Sequence, residues 1–169
     1  MKFFQIAAST KKSPVSLGSM IPYDDQQLAK GAFKLPEPFI VKAVKGTKYY
    51  DLLGLSDPFN MVISERFLQV ILAHELTGWG TYPLEIENSK EVYHGFVIKG
   101  RSGPLERPPR PGFVTGMRFS ISSWDGSDFF YPDGTLQPIV SQKAAEVLTK
   151  AKLTNIVLVD TETVEWYSS

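Results

Sequence analysis

The residues able to do chemistry are few, and their spacing limits what that chemistry could be. His74 and His94 are the only histidines and cysteine is absent, so thiol catalysis, disulfides and thiolate metal sites are excluded. His74-Glu75 opens like a zinc-protease helix, but the position four beyond His74 is Gly78, so the second imidazole is missing. His94 lies in a strand-like run with no serine motif nearby for which it could act as base. Asp125, Asp128 and Asp133 stand close together beside Gly126 and Gly134, a pattern that could hold a hard cation. It lacks EF-hand spacing and the terminal bidentate glutamate, and Asp-Gly pairs favour tight turns without any metal. Asp51, Asp57, Glu85 and Glu87 could furnish a carboxylate pair for acid–base work, but spacing alone brings no two of them together. No P-loop or G-x-G-x-x-G run is present. The expectation is a chain with no catalytic residues, no metal ligands and no cofactor.

Binding has better material. Interfaces centre on aromatic and arginine anchors inside a polar rim. By residue type the candidates for partner binding are Trp79 and Tyr82, Arg107 and Arg110, and Asp125 with Asp128 next to Trp124. Trp124 is expected in an aromatic cluster with Phe129 and Phe130. Gly78 and Gly80 flank Trp79 in a flexible setting, so the loop from Thr77 to Tyr82 is expected on the binding face. Arg107 and Arg110 belong to a proline-rich stretch, residues 103–112, that cannot be helix or central strand because proline has no amide donor. Pro108 and Pro111 satisfy a loose P-x-x-P docking pattern, although an ordered surface connection is the favoured reading of them.

The elements that must position these residues are signalled by a repeat. Ser64 through Val70 and Leu76 to Thr77 recurs, 77 positions later, as Ser141 through Val147 and Leu153 to Thr154. Each copy reads as a β-branched run, a serine, a helical pattern and a second strand-like run, giving units of about 60–86 and 137–160. A serine after a strand is a good helix N-cap, since its hydroxyl accepts from a backbone N–H the helix leaves unpaired. Phe67, Val70, Ile71 and His74, and likewise Ala144, Val147, Leu148 and Ala151, follow the spacing of one buried helical face. Strands are expected at the N-terminus (1–8), 39–44, 82–86, 92–99 and 113–121, with a short helical piece near 25–30. Residues 156–159 read as a buried strand, and 164–167 as one that finishes the sheet. The predicted fold class is α+β: a single domain, 1–169, with two Ser-capped helices on a mixed, largely antiparallel sheet.

Composition sets outer limits. A chain of 169 residues with 43% hydrophobic and 12% aromatic residues can bury a core without staples. Eighteen basic residues against eighteen acidic ones give zero formal charge, so no general field draws nucleic acid or an anionic membrane. The apolar run at the N-terminus is short and reads as a strand rather than a secretory signal. No stretch approaches a membrane span, and the expected setting is cytoplasmic.

Met61 to Phe67 with Tyr82-Pro83-Leu84 downstream, Trp124 to Phe130, and Ile139-Val140-Ser141 with Leu153 to Ile156 together resemble one bacterial family. It is a family of immunity proteins from polymorphic toxin systems, long described as a domain of unknown function. The likeness covers roughly residues 50–165 and rests on the order of these segments. It departs where Tyr131-Pro132-Asp133 follows the aromatic pair in place of a basic residue. The resemblance implies a non-enzymatic protein that binds and neutralises a cognate toxin domain, with no catalytic residues to carry over. A small-molecule enzyme and an adaptor using the proline-rich loop are the alternatives. No nucleic-acid or membrane partner is expected, and homo-oligomerisation is left open.

Overall fold

Both serines of the repeat cap helices. In the computed structural model, which describes residues 1–169, the Ser64 hydroxyl accepts from the Phe67 N–H at 3.1 Å and the Ser141 hydroxyl from the Ala144 N–H at 3.1 Å. Each cap satisfies a donor that the first helical turn cannot pair internally. In chain order the elements are β1 (Phe3–Ala8), β2 (Ser16–Ser19), α1 (Asp25–Ala29), β3 (Phe39–Lys45), β4 (Leu52–Leu55), β5 (Met61–Ser64), α2 (Glu65–Ala73), β6 (Trp79–Ile86) and β7 (Tyr93–Ile98). They continue with β8 (Gly100–Ser102), β9 (Gly112–Thr115), β10 (Phe129–Pro132), β11 (Ile139–Ser141), α3 (Gln142–Lys150), β12 (Ile156–Asp160) and β13 (Glu165–Ser168).

The strands build two equivalent five-stranded arrays. One has the order β6-β7-β5-β4-β2, the other β12-β1-β11-β10-β8. In both, the second strand runs antiparallel to its neighbours and the last pair is parallel. The second strand is exchanged between halves: β7 completes the array of β5 and β6, while β1 completes that of β11 and β12. Registers agree residue for residue. Ser64 faces Tyr93 as Ser141 faces Phe3, and Trp79 faces Ile98 as Ile156 faces Ala8. The exchange ties the halves together, since neither array is complete without a strand from the other half.

One difference separates the halves. In the first, β3 pairs with β2 and with β6 and closes the array into a six-stranded barrel. Its interior is filled by Leu17, Phe39, Val41, Leu53 and Val62, with Leu28 of α1 packed against them. In the second, β9 pairs only with β13, leaving the array open. There Phe130 and Ile139, counterparts of Leu53 and Val62, are covered by Met117, Phe119 and Val164. Between the arrays lies a shared core in which Phe67 and Ile71 of α2 meet Ala144 and Leu148 of α3.

Several expectations change. The fold is mostly sheet with few helices, 38% strand against 17% helix, and the sheets are a barrel, an open array and a ribbon rather than one sheet. His74 does not continue the buried face. The helix ends at Ala73, and the imidazole is exposed with Nδ1 2.9 Å from the Val70 carbonyl. β12 is a half-exposed edge strand rather than a buried one, because its outer neighbour in the barrel has no counterpart. β13 belongs to the ribbon and finishes neither array. The 113–121 strand stops at Thr115, and Met117 and Phe119 are buried from irregular backbone.

Gly95, which breaks the apolar pattern of β7, is explained by its cross-strand partner. It faces Tyr82 of β6, and the Tyr82 ring lies across it where a Cβ would collide with the ring carbons. A bare backbone here lets the ring reach the barrel interior against Phe39, at 6.3 Å between centroids. Gly95→Ala is expected to lower unfolding stability by about 2 kcal/mol, read from the urea midpoint, because a packed ring must be displaced.

Candidate functional site

The most buried carboxylates sit at two matching places. Asp51 and Asp128 stand 77 positions apart, in step with the serines and threonines of the repeat. Asp51 accepts from Ser64 Oγ at 2.7 Å, Thr154 N at 2.8 Å and Thr154 Oγ1 at 2.9 Å. Asp128 accepts from Ser141 Oγ at 2.7 Å, Thr77 N at 2.9 Å and Thr77 Oγ1 at 3.3 Å. Each aspartate thus takes its serine from its own half and its threonine from the other. The backbone follows the same rule, with Leu52 N–H bonded to the Thr154 carbonyl and Phe129 N–H to the Thr77 carbonyl. The rims match as well: Arg66 Nη1 lies 3.0 Å from Asp51, and Lys143, again 77 positions on, lies 4.0 Å from Asp128. Burial works against ionising Asp51, but the bonds from Ser64 and Thr154 and the Arg66 charge outweigh it and hold its carboxyl below the usual range. These two clasps leave neither aspartate free to act as a base.

The other nominated residues do not come together. Asp128 is buried in its clasp and is unavailable to a partner. Trp79 is half-buried, stacks on Phe96 at 6.4 Å and donates from Nε1 to the Leu76 carbonyl at 2.6 Å. Its neighbour Gly78 is fixed rather than flexible: it holds φ +85°, and a Cβ there would meet the Phe129 carbonyl. Tyr82 points into the barrel, and its hydroxyl is the one buried side-chain polar atom with no hydrogen-bond partner. Arg107 and Arg110 are exposed in the proline-rich loop, with Arg107 Nη1 bonded to the Ser169 carbonyl at 2.9 Å. Asp125 is exposed and closes its own turn through the Ser127 and Arg101 amides. Trp124 joins Phe130, at 5.8 Å, and also Phe3, whereas Phe129 turns to the shared core against Phe96 and is not part of that cluster. The histidines lie apart, and His94 Nε2 meets Glu65 at 2.5 Å, a bond that holds the Glu65 carboxyl below its ordinary range.

The concavity suited to a ligand lies where no motif pointed. A cleft of about 840 Å³ runs along the junction of barrel and open array, between β1 on one side and β4 with the start of β5 on the other. That volume falls within the usual span of ligand pockets. Two departures from the internal symmetry open it. Gly54 occupies the place that Tyr131 fills in the other half, and a Cβ at Gly54 would meet nothing within 4 Å. The seven residues Ser9 to Val15 join β1 to β2, where Lys99 alone joins β7 to β8. At the equivalent junction Tyr131 is buried beneath Arg101, 5.4 Å from its ring, and burial pushes its hydroxyl up to about 12.

The walls of the cleft are held in place. Ser13 O accepts from the Thr47 and Lys48 amides at 3.0 Å each, Val15 N–H donates to Lys48 O, and Tyr50 Oη donates to Lys12 O. Across from this loop, Asp57 accepts from Tyr23 Oη at 2.5 Å, from the Phe59 and Asn60 amides and from Asn60 Nδ2. Burial first, then the Asp57 carboxylate, raises the Tyr23 hydroxyl far above its ordinary value. Asp57 is therefore a turn-forming residue with its lone pairs taken. Sequence reasoning missed the cleft because it depends on a glycine matched against a tyrosine 77 positions later. No protein-family model matches the chain, and no characterised protein matches its sequence.

Asp51→Ala or Asp128→Ala is expected to cost about 3 kcal/mol by urea unfolding, since each removes several charge-assisted bonds and strands their donors. The Asp51 carboxyl is depressed in the folded state, so its contribution is present above pH about 4 and is lost as pH falls through the lowered value. The variant should accordingly show a shallower loss of stability on acidification than the parent. Tyr82→Phe, which removes an unpaired buried hydroxyl, should leave the melting temperature unchanged or raise it, by about 1 kcal/mol of stability at most.

Proposed function

We propose that the chain is a non-enzymatic binding protein acting as a cytoplasmic immunity protein, which occludes a cognate toxin domain as the family it resembles would. The observation that supports this reading is the cleft at the junction of the halves, which is preformed and walled by loops bonded to one another. A rigid recess of this kind binds with little ordering cost. Of the carboxylates that could have served acid–base chemistry, Asp51 is engaged in a clasp and Asp57 in a turn, while Glu85 and Glu87 are exposed on the surface away from the cleft lining. No helix is long and apolar enough to cross a membrane.

A small-molecule enzyme is the second reading, and the short Tyr23–Asp57 bond beside the cleft is what favours it. The four donors already on Asp57 weigh against it.

The test is co-expression with the product of the gene immediately upstream. On the immunity reading the neighbour alone arrests growth, this chain restores it, and the two proteins co-purify in a fixed ratio. Continued growth arrest in the presence of folded, soluble chain would sink the proposal.

A further inference from the structure

The zero net charge conceals an uneven distribution. Residues 1–50 carry eight lysines against three carboxylates, and the remainder of the chain carries the compensating acidic excess. Four of those lysines lie on two segments whose residues, Ser9, Thr10, Ser13, Lys45 and Gly46 among them, line one end of the cleft. Lys11 and Lys12 lie on the Ser9–Val15 connection, and Lys45 and Lys48 on the chain leaving β3, the two segments that the Ser13, Val15 and Tyr50 hydrogen bonds join. All four are exposed, and the five ion pairs of the structure include none of them. Lys45 itself lines the cleft. Like charges held on two bonded loops repel one another, and a carboxylate ligand would relieve that repulsion. Lys12 and Ser13 both hold left-handed backbone, φ 62° and 53°, so the loop is bent to a set shape by its bonds and not by its own preference.

Below this basic rim the floor is apolar: Ile6, Leu55, Phe59, Met61 and Leu136 face the opening left by Gly54. Asp57 is the one carboxylate on the wall, and its oxygens are occupied. From this pairing of lysine rim and apolar floor we infer that the cleft receives an acidic segment of a partner polypeptide, with one apolar side chain seated over Gly54 and flanking carboxylates at Lys11, Lys12, Lys45 and Lys48. The inference rests on the binding reading above and adds the chemistry of the partner. A polypeptide fits better than nucleic acid because the rim has lysines without arginine, and the floor is mainly aliphatic, with half-buried Phe59 its one aromatic side chain and no row of exposed aromatic platforms for successive bases.

The experiment is a fluorescence-anisotropy titration of the full chain with a labelled peptide in which a central leucine is flanked by glutamates. The same peptide with glutamine at every glutamate, and a short DNA duplex, are the competitors. The acidic peptide should bind with an affinity that falls as salt rises, and the glutamine peptide should not bind. Combined Lys11→Glu, Lys12→Glu, Lys45→Glu and Lys48→Glu should weaken binding about tenfold or more. Gly54→Tyr, which restores the side chain carried by the other half, should block it by filling the cleft. Circular dichroism melts of both variants verify folding, and each alters exposed or open positions. Absence of peptide binding, or binding that neither variant changes, overturns the inference. So does a duplex that displaces the peptide while Gly54→Tyr has no effect, which would make this a nucleic-acid surface. Growth rescue separates the two proposals: rescue that survives the four charge reversals removes this face and keeps immunity, whereas peptide binding without rescue by the parent chain keeps the face and removes immunity.

Discussion

Everything else in this molecule depends on two carboxylates that each reach across the boundary between its halves. Asp51 takes a threonine from the second half and Asp128 a threonine from the first, through the same atoms at nearly the same distances. The serine on each aspartate does double duty. Its hydroxyl donates to the carboxylate and accepts from the helix, so one side chain fixes the strand end, the helix start and the position of the aspartate. Substituting a hydrophobic pair could match the energy of a buried charge, but it would not carry this directionality. The clasps therefore set the orientation of the two halves, and packing of Phe67, Ile71, Ala144 and Leu148 fills what that orientation leaves between them.

The exchange of β1 and β7 works in the same direction by different means. Each strand contributes backbone bonds to an array that is otherwise built from the opposite half, so separating the halves would expose strand edges on both sides. Because β1 lies at the start of the chain and its partners near the end, this pairing closes a very long loop. The entropy of that closure grows only slowly with length, and the clasps and shared core readily offset it.

How much of this was legible in the sequence follows from which interactions are local. The caps at Ser64 and Ser141 and the helices behind them rest on neighbours within four residues, and reading them from spacing succeeded. Asp51 and Asp128 were visible at the same offset as the serines, but a repeat traced from the helices outward stops before reaching them. The strand exchange left no local mark. The pairs of β1 join residues more than a hundred positions apart, those of β7 with β6 are an ordinary hairpin that does not announce an exchange, and no hydrophobic alternation specifies a partner. The setting of Trp79 was hard to read for a related reason. Glycines on either side suggest mobility, yet Gly78 is glycine because the Phe129 carbonyl approaches it, a contact set by the fold. The cleft was the least legible, since open space is defined by residues that are absent from it.

An internal duplication offers its own control on what the fold requires. Where the halves agree, as at the aspartates, serines and threonines, or at Glu75 and Lys152 with φ 52° and 54°, the agreement marks what the architecture cannot do without. Where they differ, the architecture is indifferent, and other pressures can act. Tyr131 at one junction proves that a large side chain fits that place in the fold, so Gly54 at the other is not there to avoid a clash. The short β7–β8 connection through Lys99 likewise proves that no long loop is needed to join those strands. Both departures fall on the same junction and both enlarge the same recess, and the longer loop also brings two of the four unpaired lysines to its edge. Stability alone would favour filling such a space, at roughly the cost of a buried aromatic side chain for leaving it open. The asymmetry at this junction is therefore not imposed by the stability of the fold.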